Sequence, residues 1–217
     1  MSQFIVTANG HELDLAYPKT ANMVLADVAH SLAQINRFTG HARRPYSVAE
    51  HSLLVLDIVE HLFAPASVHL RLAALMHDAH EAYVGDMASP TKRAVGEAWY
   101  TLEHRIERTL RSAWGLHTAT FQHQHAIKQA DLIALATERA QLLPPSPSLW
   151  QCLVHVQPIT WVDLMSPERC AMGWVDWRNR FADAADTLDF ERNEHTWPRR
   201  AQVTSAPLQP MLNGEKT

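Results

Sequence analysis

From Asn22 onward the apolar residues of this chain recur every three or four positions, so the fold open to it is one in which helices pack on helices. Leu25, Val28, Ala29, Leu32 and Ile35 form one such stripe, which predicts a first helix from about Asn22 to Asn36. Ser47-Val48-Ala49-Glu50 reads as a capping box, in which Ser and Glu satisfy each other's orphan amides. The stripe behind it is Val48, Val55, Ile58, Val59 and Leu62. A third helix is expected from near Pro65, through Leu72, Ala73 and Leu75, into His77-Asp78. A fourth follows Ser89-Pro90, shows Trp99, Leu102, Ile106, Leu110 and Ala113, and stops at Gly115. A fifth spans about Ala119 to Leu142 and is ended by Pro144-Pro145-Ser146-Pro147. Residues 148–156 read as a short helix or an irregular connector, and Ser166-Pro167-Glu168 opens a last helix through Met172, Val175, Ala182, Ala185 and Leu188.

One early segment departs from this pattern. Asn9-Gly10 lies between Phe4–Thr7 and Glu12–Leu15, and a type I′ turn there, with positive φ at both central residues, makes a small β-hairpin over about residues 3–16. The expected class is therefore all-α, a helical bundle carrying a small N-terminal β-hairpin. Composition agrees, with only 7 glycines against 30 alanines in 217 residues. Pro144–Pro147 has the look of a linker, but neither side is an evident core of its own, so residues 1–195 are expected to form one domain. Residues 196–217 are polar, contain Pro198, Pro207 and Pro210, and are expected to be a mobile tail.

Charge and cysteine content exclude several functions. The net charge is −4 and no Lys/Arg block stands out, which argues against binding to a nucleic-acid polymer but not against a small phosphorylated substrate. No apolar run approaches the ~20 residues of a membrane span, and the N-terminus lacks a charged-then-apolar signal layout. Cys152 and Cys170 cannot form a disulfide framework. A cytoplasmic location is the expectation.

The chemistry concentrates in Leu72–Lys92, LAALMHDAHEAYVGDMASPTK. Neighbours on a helix point about 100° apart, so His77 and Asp78 can share one ion only where a helix ends or kinks. Glu81 follows three residues after Asp78, placed to lie beside an ion and act as acid or base without coordinating it. Further ligands are needed. His51 sits one turn into the capped helix, and Asp131 sits inside an apolar helical segment, where an unpaired carboxylate would be costly to desolvate. Two imidazoles and two carboxylates suit one borderline divalent ion such as Mn²⁺, Co²⁺, Ni²⁺, Fe²⁺ or Zn²⁺. His80 also invites a ligand role, but an exposed position or a supporting hydrogen bond is the simpler reading. His117, His123 and His125 read as solvated residues of a polar connecting stretch.

His51, the His77-Asp78 doublet and Asp131, in this order, resemble the H…HD…D signature of HD-domain metal-dependent phosphohydrolases. HDAHEAYVGDMASPTK resembles more narrowly the bacterial 5′-deoxynucleotidase branch and related phage dATP triphosphohydrolases, and HSLAQINRFTGHARRPYSVAEHS resembles further bacterial and phage members. The likeness covers roughly residues 4 to 140. That branch has an Arg-aromatic pair ahead of the first histidine and a Glu three residues after the doublet, positions that match Arg37-Phe38 and Glu81. Its characterised members carry Trp where this chain has Phe38, which is smaller and lacks the indole N–H, so strict deoxyribose selection is less firmly expected.

The resemblance implies hydrolysis of 5′-phosphoesters of (deoxy)nucleotides, with deoxynucleoside 5′-monophosphates preferred. The catalytic residues it implies are Glu81 and Arg37, and the substrate-binding residues are Arg37, Phe38, Asp86 on a sugar hydroxyl and Lys92 on a phosphate or in solvent. It implies a homo-oligomer, dimeric or larger. A dATP-type triphosphohydrolase remains open, for which Arg43, Arg44 and Arg93 would have to hold the longer phosphate chain. So does a degenerate HD module that binds a nucleotide without turnover. A cyclic-dinucleotide phosphodiesterase would carry a further GYP-type block, which the sequence does not contain.

Overall fold

A computed structural model describes residues 4–196; residues 1–3 and 197–217, on which the expectation of a mobile tail falls, lie outside the described residues. The chain is mostly helical, with one two-stranded antiparallel sheet of β1 (Phe4–Val6) and β2 (Glu12–Asp14), paired so that Ile5 faces Leu13. The expected hairpin is present, but its turn is not type I′. Gly10 alone in the loop has positive φ (81°), and its amide donates to Thr7 O at 3.0 Å while the Thr7 amide donates to His11 O at 2.9 Å. The Asn9 side chain and amide instead donate to the Asp27 carboxylate, at 2.6 and 3.0 Å, which anchors the hairpin on the first helix. A longer loop with one glycine in the left-handed region lets Asn9 serve as that anchor.

The helices follow as α1 (Leu25–Leu32), α2 (Val48–Leu62), α3 (Val68–Leu75), α4 (Glu81–Val84), α5 (Ser89–Val95), α6 (Glu97–Ala113), α7 (His117–Leu142), α8 (Pro167–Ala171) and α9 (Trp174–Thr196). Several predicted elements are shorter or divided. The first helix loses both ends, and Thr20–Asn22 forms a separate 3₁₀ turn. The third begins at Val68, because Ser67 caps it by accepting from the Leu70 amide, which leaves Pro65 in the preceding turn. The fourth divides into α5 and α6 at Gly96, whose φ of 74° no right-handed helix allows. The last divides at Met172-Gly173. The fifth begins two residues earlier than expected, which brings His117 onto α7, and His123 and His125 also lie on that helix instead of in a connecting stretch. The connector contains one 3₁₀ turn, Gln151–Leu153.

Two hydrophobic clusters share α2 and α3. One includes Leu13, Leu32, Leu72, Leu75, Ile106, Leu110 and Phe181, and the other Tyr46, Leu54, Ile58, Ala130, Ala134, Leu142 and Leu164. Helices α2, α3 and α7 pack pairwise on one another, and these three elements carry the candidate ligands to one place. Among the described residues no helix is long and apolar enough to cross a membrane.

Only half of the predicted capping box forms. Ser47 accepts from the Glu50 amide at 3.2 Å, but the Glu50 carboxylate does not return to Ser47. It takes both Nη atoms of Arg44, at 2.8 and 2.7 Å, and Arg169 at 2.9 Å. Charge-assisted bonds to two guanidinium groups outcompete a single amide. Glu50 is fully buried, so Glu50→Gln would leave two arginines facing a neutral amide. Urea unfolding should then show a loss of about 3 kcal/mol, the cost of breaking a buried ion pair from one side. A loss below about 0.5 kcal/mol, the range of an ordinary surface substitution, would contradict a structural role for this cluster.

Candidate metal centre

Helix α3 ends at Leu75, and His77 and Asp78 lie in the turn between α3 and α4. This is the helix end that a shared ion requires. His77 Nε2 and Asp78 Oδ2 come within 3.2 Å of each other. From α2, His51 places its Nε2 at 3.4 Å from His77 Nε2 and 3.6 Å from Asp78 Oδ2. His51, His77 and Asp78 thus form a group that can hold a metal ion, with donor atoms all within 4.8 Å of one another.

The donor set fits such an ion. Atoms each about 2.1 Å from a common centre and set at tetrahedral or octahedral angles lie about 3.0–3.4 Å apart. The two imidazole nitrogens 3.4 Å apart, with a carboxylate oxygen within 3.6 Å of each, have the spacing of ligands to one ion, and each ring has its other nitrogen occupied. His77 Nδ1 donates to Ala74 O at 2.8 Å, and His51 Nδ1 faces Glu138 Oε1 at 2.5 Å. Burial and the Arg37 charge oppose protonation of His51, but Glu138 and Asp131 outweigh them and raise its pKa to about 9. Once the rings are neutral, as metal binding requires, both Nε2 atoms are left as acceptors, the arrangement that orients metal-binding histidines.

Asp131, on α7, brings Oδ1 to 3.5 Å from His51 Nε2 and 4.0 Å from His77 Nε2. It stands at the edge of the triad, and its other oxygen accepts from Lys128 at 2.8 Å. Burial opposes ionisation of Asp78 and Asp131, but the neighbouring histidines outweigh it and hold both carboxyls below the usual range, with Arg37 assisting at Asp78.

Glu81 opens α4 and is buried, and its Oε2 has no hydrogen-bond partner. Burial, then the charges of Asp78 and Asp86, raise its carboxyl well above the ordinary value. Burial also raises Asp86, in the loop between α4 and α5.

Arg37 is held at the neck of a loop. Its amide donates to Tyr46 O at 2.8 Å, the Val48 amide donates to Ile35 O at 3.0 Å, and Asn36 bridges to Ser47. The side chain is buried, with Nη2 at 3.2 Å from Glu138 Oε2 and Nη1 at 3.6 Å from Asp78 Oδ2. Its Nε is buried without a hydrogen-bond partner. Phe38 and Thr39 follow with φ of 55° and 53°, left-handed values that cost a non-glycine residue about 1–2 kcal/mol each. Strain of this kind persists where the surrounding structure fixes it, and here it sits beside the site. The Phe38 ring lies 5.6 Å from the Arg37 guanidinium carbon.

Other expected contributors are engaged elsewhere. Lys92 donates to Glu103 at 2.5 Å, so its ammonium is paired within the protein. His80 is buried, not exposed, and its Nε2 lies 3.5 Å from the same Glu103 oxygen. Arg44 is committed to Glu50 and to Leu164 O, because a buried carboxylate offers a stronger partner than solvent. Arg43 and Arg93 are exposed.

The sequence reading missed Glu138. It is fully buried on α7 and bonded to His51, Arg37 and Tyr46. Its spacing, seven residues or two helical turns after Asp131, places it on the same helix face but carries nothing about the partners that bury it.

No family model matches the chain. It is similar to the uncharacterized protein RCAP_rcc00048 of Rhodobacter capsulatus, with 38% identity over 141 residues that cover 62% of this chain and 70% of that protein. It is also similar to the uncharacterized protein YfdR of Escherichia coli K12, with 37% identity over 150 residues that cover 69% and 78% of the two chains. Neither relative's name states an activity.

Proposed function

The chain belongs to the family that includes RCAP_rcc00048 and YfdR, and we propose that it is a divalent-metal-dependent phosphohydrolase acting on nucleotide 5′-phosphoesters, with deoxynucleoside 5′-monophosphates preferred. The observation that carries this reading is the meeting of His51, His77 and Asp78 next to a buried arginine and a buried, unpartnered carboxyl. The resemblance of the same residues to HD-domain phosphohydrolases supports it.

His51, His77 and Asp78, with Asp131 beside them, would hold one Mn²⁺, Co²⁺, Ni²⁺, Fe²⁺ or Zn²⁺ ion. When bound, such an ion supplies a water of lowered pKa and a Lewis acid for a phosphoryl oxygen. Arg37 binds the phosphoryl oxygens and offsets charge that builds on them in the transition state. Glu81 manages the proton. The water oxygen bonds to phosphorus, the bond to the 5′ oxygen breaks, and that oxygen leaves with a proton from Glu81, which regains one from the attacking water. In this reading Phe38, whose ring lies beside the Arg37 guanidinium, meets the sugar, and Asp86 takes a sugar hydroxyl.

The length of the phosphate chain is decided by cations beyond Arg37. Arg44 and Lys92 are each tied to a buried glutamate, and Arg43 and Arg93 are exposed, which supports a monophosphate over a triphosphate. The test is a panel of ribo- and deoxynucleoside mono-, di- and triphosphates with Mn²⁺ or Co²⁺, with products separated by chromatography. Release of orthophosphate from dAMP-type substrates, abolished by chelation, is expected. Conversion of dATP to deoxyadenosine and tripolyphosphate with dAMP untouched would assign the triphosphohydrolase activity instead. Full activity after exhaustive chelation would remove the metal-dependent reading.

A further inference from the structure

We propose that Glu138 is a positioning residue that ties the metal-binding half of the site to its anion-binding half through one carboxylate. The inference rests on the metal-dependent reading above. Glu138 Oε1 lies 2.5 Å from His51 Nδ1 and accepts from the Tyr46 hydroxyl at 3.0 Å. Its Oε2 accepts from Arg37 Nη2 at 3.2 Å. The side chain is fully buried, as are those of His51 and Tyr46, so none of these bonds is shared with bulk water.

Each bond restricts a group that acts elsewhere. The contact to Nδ1 fixes the His51 ring and sets the tautomer of its neutral form, so that Nε2 faces His77 and Asp78 and can offer a lone pair to an ion. The contact to Nη2 fixes one arm of the Arg37 fork, so that the other arm reaches toward Asp78 at 3.6 Å. The Tyr46 hydroxyl occupies Oε1 from a third direction and limits rotation of the carboxylate. An ion pair serving stability alone needs one cation. Here the two oxygens of a single carboxylate divide between a candidate ligand and the candidate phosphate-binding arginine. A displacement of either partner is therefore passed to the other.

Glu138→Gln preserves volume and removes the symmetry of the acceptor. His51 Nδ1–H and Arg37 Nη2–H are both donors, so the amide nitrogen must oppose one of them. Titration calorimetry with Co²⁺, without nucleotide, should show affinity 10–100-fold weaker than wild type, the usual effect of losing such a partner. At saturating Co²⁺, KM for the monophosphate should rise more than kcat falls, since Arg37 is displaced. Glu138→Asp, which restores the charge, should recover part of the Co²⁺ affinity. Circular dichroism in the presence of chelator reports whether each variant is folded. If Glu138→Gln is not, Tyr46→Phe removes one bond from the same oxygen and should weaken Co²⁺ binding by a few-fold. A folded Glu138→Gln protein with wild-type Co²⁺ affinity, or with unchanged KM, would overturn the coupling while leaving the metal-dependent reading intact. Absence of Co²⁺ binding by the wild-type protein would overturn both.

Discussion

Asp78→Ala is expected to abolish both metal binding and phosphate release. Asp78 is the one carboxylate within the converging triad, and its Oδ2 lies 3.2 Å from His77 Nε2 and 3.6 Å from each of His51 Nε2 and Arg37 Nη1. The two histidines and the arginine hold it ionised against its burial, so the negative charge that a dication needs is in place before the ion arrives. Removing it leaves two imidazoles without a carboxylate between them, with Asp131 at the edge and partly neutralised by Lys128. It also leaves Arg37 facing the ion position without an intervening anion.

The effect can be read without substrate. An ion that binds only the folded protein adds about 2.7 kcal/mol of stability at a concentration of 100 Kd. Thermal unfolding of the wild-type protein should therefore shift upward with Mn²⁺ or Co²⁺ and return on chelation. The Asp78→Ala variant should unfold at one temperature whether or not the ion is present. A variant that kept the full metal-induced shift would place the ion elsewhere.

The parts of the molecule legible in the sequence are those written in local, periodic signals. Helix α2 is announced by Ser47 and its apolar stripe, and α7 by the spacing from Ile127 to Ala134. The hairpin was legible in Asn9-Gly10, but not its turn, because the pull on Asn9 comes from Asp27, eighteen residues away. Gly96 was passed over because a lone glycine in a helical pattern is usually tolerated, and only its left-handed φ makes it the junction of α5 and α6. The candidate ligands could be named because chemistry restricts which residue types hold a metal. Their supporting partners could not. Glu50 was legible as a cap, while its two arginines come from residues 6 and 119 positions away. Glu138 reads as an ordinary glutamate near the end of a helix until α2 and the Arg37 loop close over it. Non-local partners decide which charged residues of one helix are buried, and no periodicity carries that information.

Glu81→Gln separates proton transfer from metal binding. Glu81 is close enough to Asp78 and Asp86 to feel both charges, yet it does not belong to the group of residues whose donor atoms converge. Its raised pKa has burial as the first cause, and a carboxyl raised in this way keeps its proton to higher pH than an exposed one. That is the state a general acid for the departing 5′ oxygen needs at neutral pH, and its unpartnered Oε2 is free to meet that oxygen. Glutamine preserves the shape and the ability to donate a hydrogen bond but cannot release a proton. Its kcat should fall by about 10²–10⁴, the usual contribution of a general acid–base group. Metal affinity and the metal-induced thermal shift should stay close to wild type, and KM should change little, because Arg37 and its partners are untouched. A neutral amide in place of the carboxyl should also flatten the limb of the pH–rate profile that Glu81 governs. Loss of Co²⁺ binding in this variant would make Glu81 a ligand, and an unimpaired kcat would move the proton transfer to another group, with Asp86 the next carboxyl to examine.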